Sequence, residues 1–337
     1  MHGYDNYRGR TSPKRKAAVV ILLLVLLLAG LYLLASEFTE FDSDGNVKTT
    51  LPWHSEPEAP PAADPVDDEL SEPVNIIYDA PEDPLQGKVR AVEFTVGDAR
   101  QGNSRLAAKL GDGNVAALWL KRPDGLLRYR SDAAGAALCF TDGLTETEVK
   151  NFTAQDTYTL ARISCLKDDA ASMKDMAGRG LTQENGYIWY GAENQHYLDL
   201  AKTGTQDYLL SLIRELASLG FDEILLSDLA YPTDGNQSKI ASSDDRTATV
   251  TKFLETAKDA LKDEDTRLSL ELPEATVLAG EDRQAGISLG EILPLISRLY
   301  VKTGQEESVR AAVEKIEAHV TVVAIGGKGE NLYTEAK

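Results

Sequence analysis

Cysteine and histidine are scarce in this 337-residue chain, which has two cysteines, Cys139 and Cys165, and four scattered histidines, His2, His54, His196 and His319. Two thiols cannot build a disulfide framework, and no cysteine-histidine set is spaced for zinc. Sequence leaves open whether the two cysteines pair. Basic charge is also short, with 35 Lys and Arg against 54 Asp and Glu, for a net charge of −19. Binding nucleic acid needs clustered cations on phosphate, so a nucleic-acid partner is not expected. No GxGxxG turn, Walker loop or GxSxG elbow is present, which leaves dinucleotide, nucleotide and serine-hydrolase chemistry without a carrier. No motif calls for a cofactor or a metal. What is there is a chain 42% hydrophobic, too apolar to be wholly disordered, whose folded part must be stabilised by packing.

The charge is unevenly distributed. Residues 1–16 form a basic tail with Arg8, Arg10, Lys14, Arg15 and Lys16 against Asp5. Residues 17–35, AAVVILLLVLLLAGLYLLA, carry no charged side chain; as a helix rising about 1.5 Å per residue they would reach across a bilayer. The run is longer than the apolar core of a signal peptide, and Leu33-Leu34-Ala35-Ser36 lacks the small-x-small exit of a cleavage site. An uncleaved membrane helix is therefore expected, and the basic flank places the N-terminus in the cytoplasm and the remainder outside. Residues 36–86 hold fourteen acidic residues against Lys48 alone, and eight of the thirteen prolines. Like-charge repulsion and missing backbone donors predict an acidic, extended, disordered stalk without a core.

Residues 87–337 are about the length of one (β/α)₈ barrel. Short β-rich runs alternate with amphipathic stretches, the pattern of a parallel α/β sheet. The strands read as Val89–Thr95, Val115–Lys121, Tyr158–Ser164, Glu223–Ser227, Arg267–Leu272, Leu299–Lys302 and Val320–Ile325. The clearest helices read as Asp207–Leu219, Thr247–Lys262, Leu289–Arg298 and Glu306–Ala318.

The stretch GFDEILLSDLAYPTDG (Gly220–Gly235), preceded by DYLLSLIRELASL, resembles a motif of the bacterial putative glycosyl hydrolase domain family, amylase-like TIM barrels. In that family a helix and strand pass through Gly-Phe-Asp-Glu-Ile into an aromatic-Pro-x-Asp-Gly turn. YTLARISCLKD (Tyr158–Asp168) is similar to the third strand of the same family, AALWLKRPDG (Ala116–Gly125) to the second, and GISLGEILPLISRLYV (Gly286–Val301) to the fifth helix and sixth strand. The resemblance implies a TIM barrel and a glycosidase site built on carboxyls. Against it, Trp119 and Ser227 stand where the family has Asp on strands two and four, Ala230 replaces an Arg, and Arg298 falls near the strand-six Asp. Glu271, on strand five, keeps a carboxylate. Only ten residues follow Gly327, where the eighth strand is due, so a barrel reduced to seven strands is expected.

Strand alternation sends every second side chain inward, and sites in this fold sit at the C-terminal strand ends. That register predicts Glu93 and Thr95, Trp119 and Lys121, Arg162 and Ser164, Ser227 and Glu271 inside. Glu93 and Glu271 with Lys121 and Arg162 read most simply as a structural ion network, since buried charges need partners. The alternative makes Glu271 a general acid or base, with Asp228, Glu93 or Glu274 as its partner carboxyl. Asp228 is out of phase with Ser227 and reaches the site only if the strand has ended or a bulge turns it inward. The expected catalytic pair is Glu271 and Asp228. Expected sugar contacts are Trp119, Lys121, Arg162, Lys167, Asp168, Trp189, Tyr190 and Tyr231, the aromatics as stacking faces. Trp119 has a second reading, as a plug filling the space of the shorter Asp.

Together these readings predict a membrane-anchored, extracytoplasmic glycosyl hydrolase-like domain that handles cell-envelope polysaccharide. It is expected to bind sugar with impaired catalysis. The alternative is a non-catalytic structural or protein-interaction module on a TIM-barrel scaffold.

Overall fold

The computed structural model describes residues 39–41, 47–49, 83–241, 245–316, 320–327 and 329–336. The expected membrane helix at 17–35 and nearly all of the expected stalk lie outside the described residues. Among those described, no helix is long and apolar enough to cross a membrane. Within the stalk sequence, Thr39–Phe41 pairs antiparallel with Val47–Thr49. This small ribbon departs from the expectation of a wholly extended segment. Its connecting sequence contains Asp44-Gly45, a hairpin dipeptide that the charge-based reading passed over.

From Asp83 onward the chain builds a closed barrel of eight parallel strands. In chain order they are β1 (Arg90–Phe94), β2 (Val115–Lys121), β3 (Tyr158–Ser164), β4 (Glu223–Ser227), β5 (Arg267–Pro273), β6 (Arg298–Lys302), β7 (Thr321–Ile325) and β8 (Leu332–Thr334). Each pairs with the next, and β8 returns to β1 with Tyr333 opposite Ala91. The architecture is α/β and TIM-like.

The expected reduction to seven strands is corrected by β8. A TIM barrel ordinarily places a helix between consecutive strands, whereas β7 and β8 are joined by the short segment 326–331, which has no helix among its described residues. Three residues suffice for β8 because Tyr333 is fully buried in the barrel interior. The Asn331 side chain fixes its start, accepting from the Val89 amide at 2.9 Å.

Two apolar layers hold the fold. Val89, Ala91, Val115, Ala117, Leu160, Leu225, Tyr300 and Val323 fill the barrel, while a larger cluster lies between the strands and the helices. Strands buried on both faces read as near-continuous apolar runs, which is why VAALWLK could be recognised from sequence. Helix Thr203–Ser218 packs Tyr208, Leu209, Leu212, Ile213 and Leu216 inward. Its Glu215 also accepts from Tyr129, Ser131 and the Asp132 amide at 2.5–2.8 Å. Those contacts pin down an excursion after β2, formed by strands Leu127–Tyr129 and Cys139–Leu144. Both cysteines are free thiols.

A candidate glycan site at the barrel mouth

At the C-terminal end of β4 the backbone changes hand. Ser227 is buried and donates to the Ile163 carbonyl at 3.1 Å, and Asp228 then adopts φ = 52°. A side chain in the left-handed region costs about 1–2 kcal/mol unless its surroundings over-determine it, with Asp and Asn tolerating it best. Here the Asp228 carbonyl accepts from the Leu166 amide at 3.0 Å, and its carboxylate accepts from Ser164 Oγ at 2.7 Å. Lys167 Nζ adds an ion pair at 3.1 Å. The strand does end at Ser227, and the left-handed residue turns Asp228 into the mouth where a bulge had been one way to do so.

Glu271, near the end of β5, faces the same cleft. A cavity of 420 Å³ is lined by Asp228 and Glu271 together with Lys167, Tyr197, Tyr231 and Lys302. Arg162 on β3 holds Glu271, with Nη2 at 2.9 Å from Oε1 and 2.7 Å from Oε2. The same guanidinium approaches Glu93 Oε2 at 3.6 Å and Glu335 Oε1 at 3.5 Å. Tyr333 donates to Glu93 at 2.7 Å. Burial pushes the Glu271 carboxyl upward, the Arg162 charge pulls it back, and the Asp228 and Glu335 charges add to the rise. The net effect is a carboxyl that holds its proton to higher pH than an ordinary Glu. Of the other two expected partner carboxyls, Glu93 is held by Arg162 and Tyr333, and Glu274 turns away to Thr303 and Gln305.

The ion network expected inside the barrel forms around Arg162, without Lys121. A register shift between Trp119 and Lys121 sets Trp119 opposite Arg162 but Lys121 opposite Ile163. Lys121 thus comes into phase with a side chain of the layer between barrel and helices. There it pairs with Asp168 at 2.8 Å, both side chains fully buried. Asp168 also caps helix Asp169–Lys174 through the Ala171 amide at 2.7 Å. Gly125, with φ = 79°, packs so closely that a Cβ there would lie 1.9 Å from Asp168 Oδ1. Lys121 and Asp168 therefore brace the β2 and β3 loops beneath the mouth and present nothing to a ligand. Lys167, their neighbour, does line the cleft.

The four aromatics expected to stack on sugars separate in the same way. Trp189 is 2% exposed, with its indole N–H donating to the Asn236 carbonyl at 2.9 Å. Tyr231 is equally buried, its hydroxyl donating to Asp199 and accepting from the Ala201 amide. Trp119 is engaged by two guanidinium groups, Arg162 at 4.0 Å and Arg122 at 5.0 Å from the ring centroid, which fits the plug reading. Tyr190 alone of the four is exposed, at 54%. His196 on the same loop pairs with Asp169 at 2.9 Å.

Sequence reasoning missed Lys302, Tyr197 and Glu335. Lys302 was legible as the last residue of a strand, the usual place for a site residue in this fold. Glu335 had no signal, because it follows a strand too short to recognise. Among the described residues no group of three or more His, Cys, Asp and Glu side chains is placed to hold a metal ion.

Residues 108–298, more than half of the chain, match the model of a family described as a putative glycosyl hydrolase domain. The chain belongs to this family. No curated protein sequence matches it. Among solved structures, the glycoside hydrolase domain of PgaB (BpsB) from Bordetella bronchiseptica is similar with a TM-score of 0.51 at 13% identity, over 71% of this chain and 84% of that one. At that identity the likeness is one of fold. A hypothetical protein from Ruminiclostridium thermocellum is 22% identical with a TM-score of 0.44, over 53% of this chain and 96% of its own. A GH20 exo-β-N-acetylglucosaminidase from Vibrio harveyi gives a TM-score of 0.48 at 14% identity over 71% of this chain, which spans only 41% of that enzyme's length.

Proposed function

We propose that the barrel is the extracytoplasmic domain of a membrane-anchored protein and that its mouth binds cell-envelope polysaccharide with impaired hydrolysis. Family membership and a cleft at the C-terminal strand ends that places Asp228, Glu271, Lys167 and Lys302 on a largely apolar lining support glycan binding. The impairment rests chiefly on the state of the carboxyl pair. Each of the four oxygens of Asp228 and Glu271 lies within 3.1 Å of a protein nitrogen or hydroxyl, supplied by Arg162, Lys167 or Ser164. A glycosidase needs one carboxyl free to give a proton to the leaving oxygen and a second free to attack or to activate water, each contribution being worth about 10²–10⁴-fold. A pair already engaged by Arg162, Lys167 and Ser164 is arranged to hold a sugar better than to cleave it, although Glu271 Oε2 has only its ion-pair contact and no hydrogen bond. Trp119 and Ser227, where the resembling motifs carry Asp, point the same way.

The test uses the full chain in detergent micelles, with envelope polysaccharide from the host as ligand. Sedimentation should show binding that Asp228→Asn and Glu271→Gln weaken, with reducing-end release near the blank. Robust hydrolysis abolished by Glu271→Gln would overturn the impairment. Loss of both binding and turnover in the parent protein would favour the scaffold alternative. For the anchor, N-terminal sequencing of the protein from its host should read from residue 1 or 2; a start between residues 30 and 45 would defeat it.

A further inference from the structure

We propose that Glu335, just after β8, is a positioning residue of the mouth, acting on Glu271 through the arginine they share. Three carboxylates converge on Arg162. Glu271 takes Nη2 at 2.7 and 2.9 Å, while Nη1 is divided between Glu93 at 3.6 Å and Glu335 at 3.5 Å. Glu335 is fastened on its other side by Lys302 Nζ at 3.3 Å. The segment just after β8 therefore meets Arg162 and Lys302 beside the mouth, and one arm of the guanidinium faces Glu335 and Glu93 instead of Glu271.

The chemistry follows from the sharing. A carboxyl that keeps its proton can donate to a sugar oxygen, whereas an ionised one only accepts. Glu335 acts on Glu271 twice in the same direction, as a nearby negative charge and as a competitor for Arg162, and both favour the protonated form. The other charged groups around Glu271 are Asp228 with its partner Lys167, Lys302, and Glu93, which is hydrogen-bonded by Tyr333. None of them competes for the guanidinium from the solvent side as Glu335 does, its side chain being 35% exposed against 3% for Glu93.

For its functional meaning this inference rests on reading the mouth as a glycan site, so its test does not use a glycan. The full chain, labelled with carboxyl-¹³C glutamate, is titrated by NMR in micelles, with the Glu271 signal assigned by its loss in Glu271→Gln. In Glu335→Gln the Glu271 midpoint should fall by about half a pH unit or more, and Glu335→Asp, which keeps the charge, should restore most of it. Thermal melts of both variants should match the parent, because the residue is partly exposed and outside the strands. A Glu271 midpoint that stays put or rises in a folded Glu335→Gln protein overturns the inference. A fall in a protein that binds no polysaccharide leaves this inference standing and removes the proposed function instead; binding without a fall does the reverse.

Discussion

The floor and the mouth of the barrel are each organised around one buried arginine, and they differ in how far the surrounding carboxylates are closed off from water. At the floor, Arg298 is 1% exposed and pairs with Glu223, itself fully buried, at 2.5 Å. Tyr158 and Tyr300 complete the set at 3.1 and 2.9 Å, and Asp83 reaches in from the segment preceding β1. At the mouth, Arg162 is almost as buried, at 5%, but Glu271 and Glu335 keep 19% and 35% of their side-chain surface. One kind of ion cluster thus serves as a seal at one end and as an accessible lining at the other. A buried ion pair does not stabilise much in net terms, yet removing one partner is costly because the survivor is stranded. At the floor Glu223 has no way out of that cost, although Asp83 keeps 30% of its side-chain surface; at the mouth Glu271 and Glu335 have one, and Glu93, at 3%, does not.

Substituting each arginine gives the largest expected effect. Arg298→Met should strand Glu223 and cost about 3–5 kcal/mol, measured as a fall in the urea midpoint at unchanged slope. Arg162→Met should cost less, since Glu271 and Glu335 can reach water and the buried Glu93 keeps its hydrogen bond from Tyr333, while polysaccharide binding is lost. If the two variants lose equal stability, the distinction between sealed and open clusters fails.

Asp228 carries the next effect, because it pairs backbone strain with a functional group. Asp228→Ala keeps the left-handed position without the tolerance of Asp or Asn and loses the bonds to Ser164 and Lys167, so a cost of about 2 kcal/mol is expected. Asp228→Asn should stay within about 0.5 kcal/mol of the parent, since Asn accepts the same backbone conformation and can still accept from Ser164. The two variants separate the structural demand at this position from the chemical one. Equal losses in thermal melts would mean that the charge, and not the backbone, sets the cost.

Legibility in the sequence follows the same division. Runs buried on both faces, such as Val115–Lys121 and Tyr158–Ser164, declare themselves through apolar content, and both have the bounds that the pattern predicts. The charged groups at the mouth were found as residue types, but their facing was not, because facing depends on single-residue events. A register shift after Trp119 carried Lys121 out of the barrel, and one left-handed residue brought Asp228 in. Neither event changes composition or period. β8 was invisible because three residues cannot show a period, and Glu335 was hidden with it. Trp189 and Tyr231 were found as aromatic residue types, but aromatic content alone could not foresee that they would be consumed by Asn236 and Asp199.

The smallest expected effect sets a carboxyl of the mouth against one beside it, through the sign of their pH dependence. Asp98 completes a capping box with Thr95 at the helix that follows β1 and pairs with Lys109 Nζ at 2.6 Å. Burial raises this carboxyl, but the Lys109 and Thr95 hydrogen bonds outweigh it and hold it at about 2. A folded-state value below the unfolded one means stability that is present above about pH 3.9 and is lost as pH falls towards 2. Glu271 is shifted the other way, so the folded state binds its proton more tightly and stability falls as pH rises from about 4.3 through the folded-state value. Asp98→Asn should therefore cost about 1 kcal/mol at neutral pH, the worth of a cap, and flatten the acid limb of the stability profile. Glu271→Gln should flatten the limb above about pH 4.3 without lowering neutral-pH stability. Urea midpoints between pH 2.5 and 8 separate the two. A Glu271→Gln protein destabilised at neutral pH would show that the Arg162 pairing outweighs burial, and that the mouth is closed by its ion cluster as firmly as the floor.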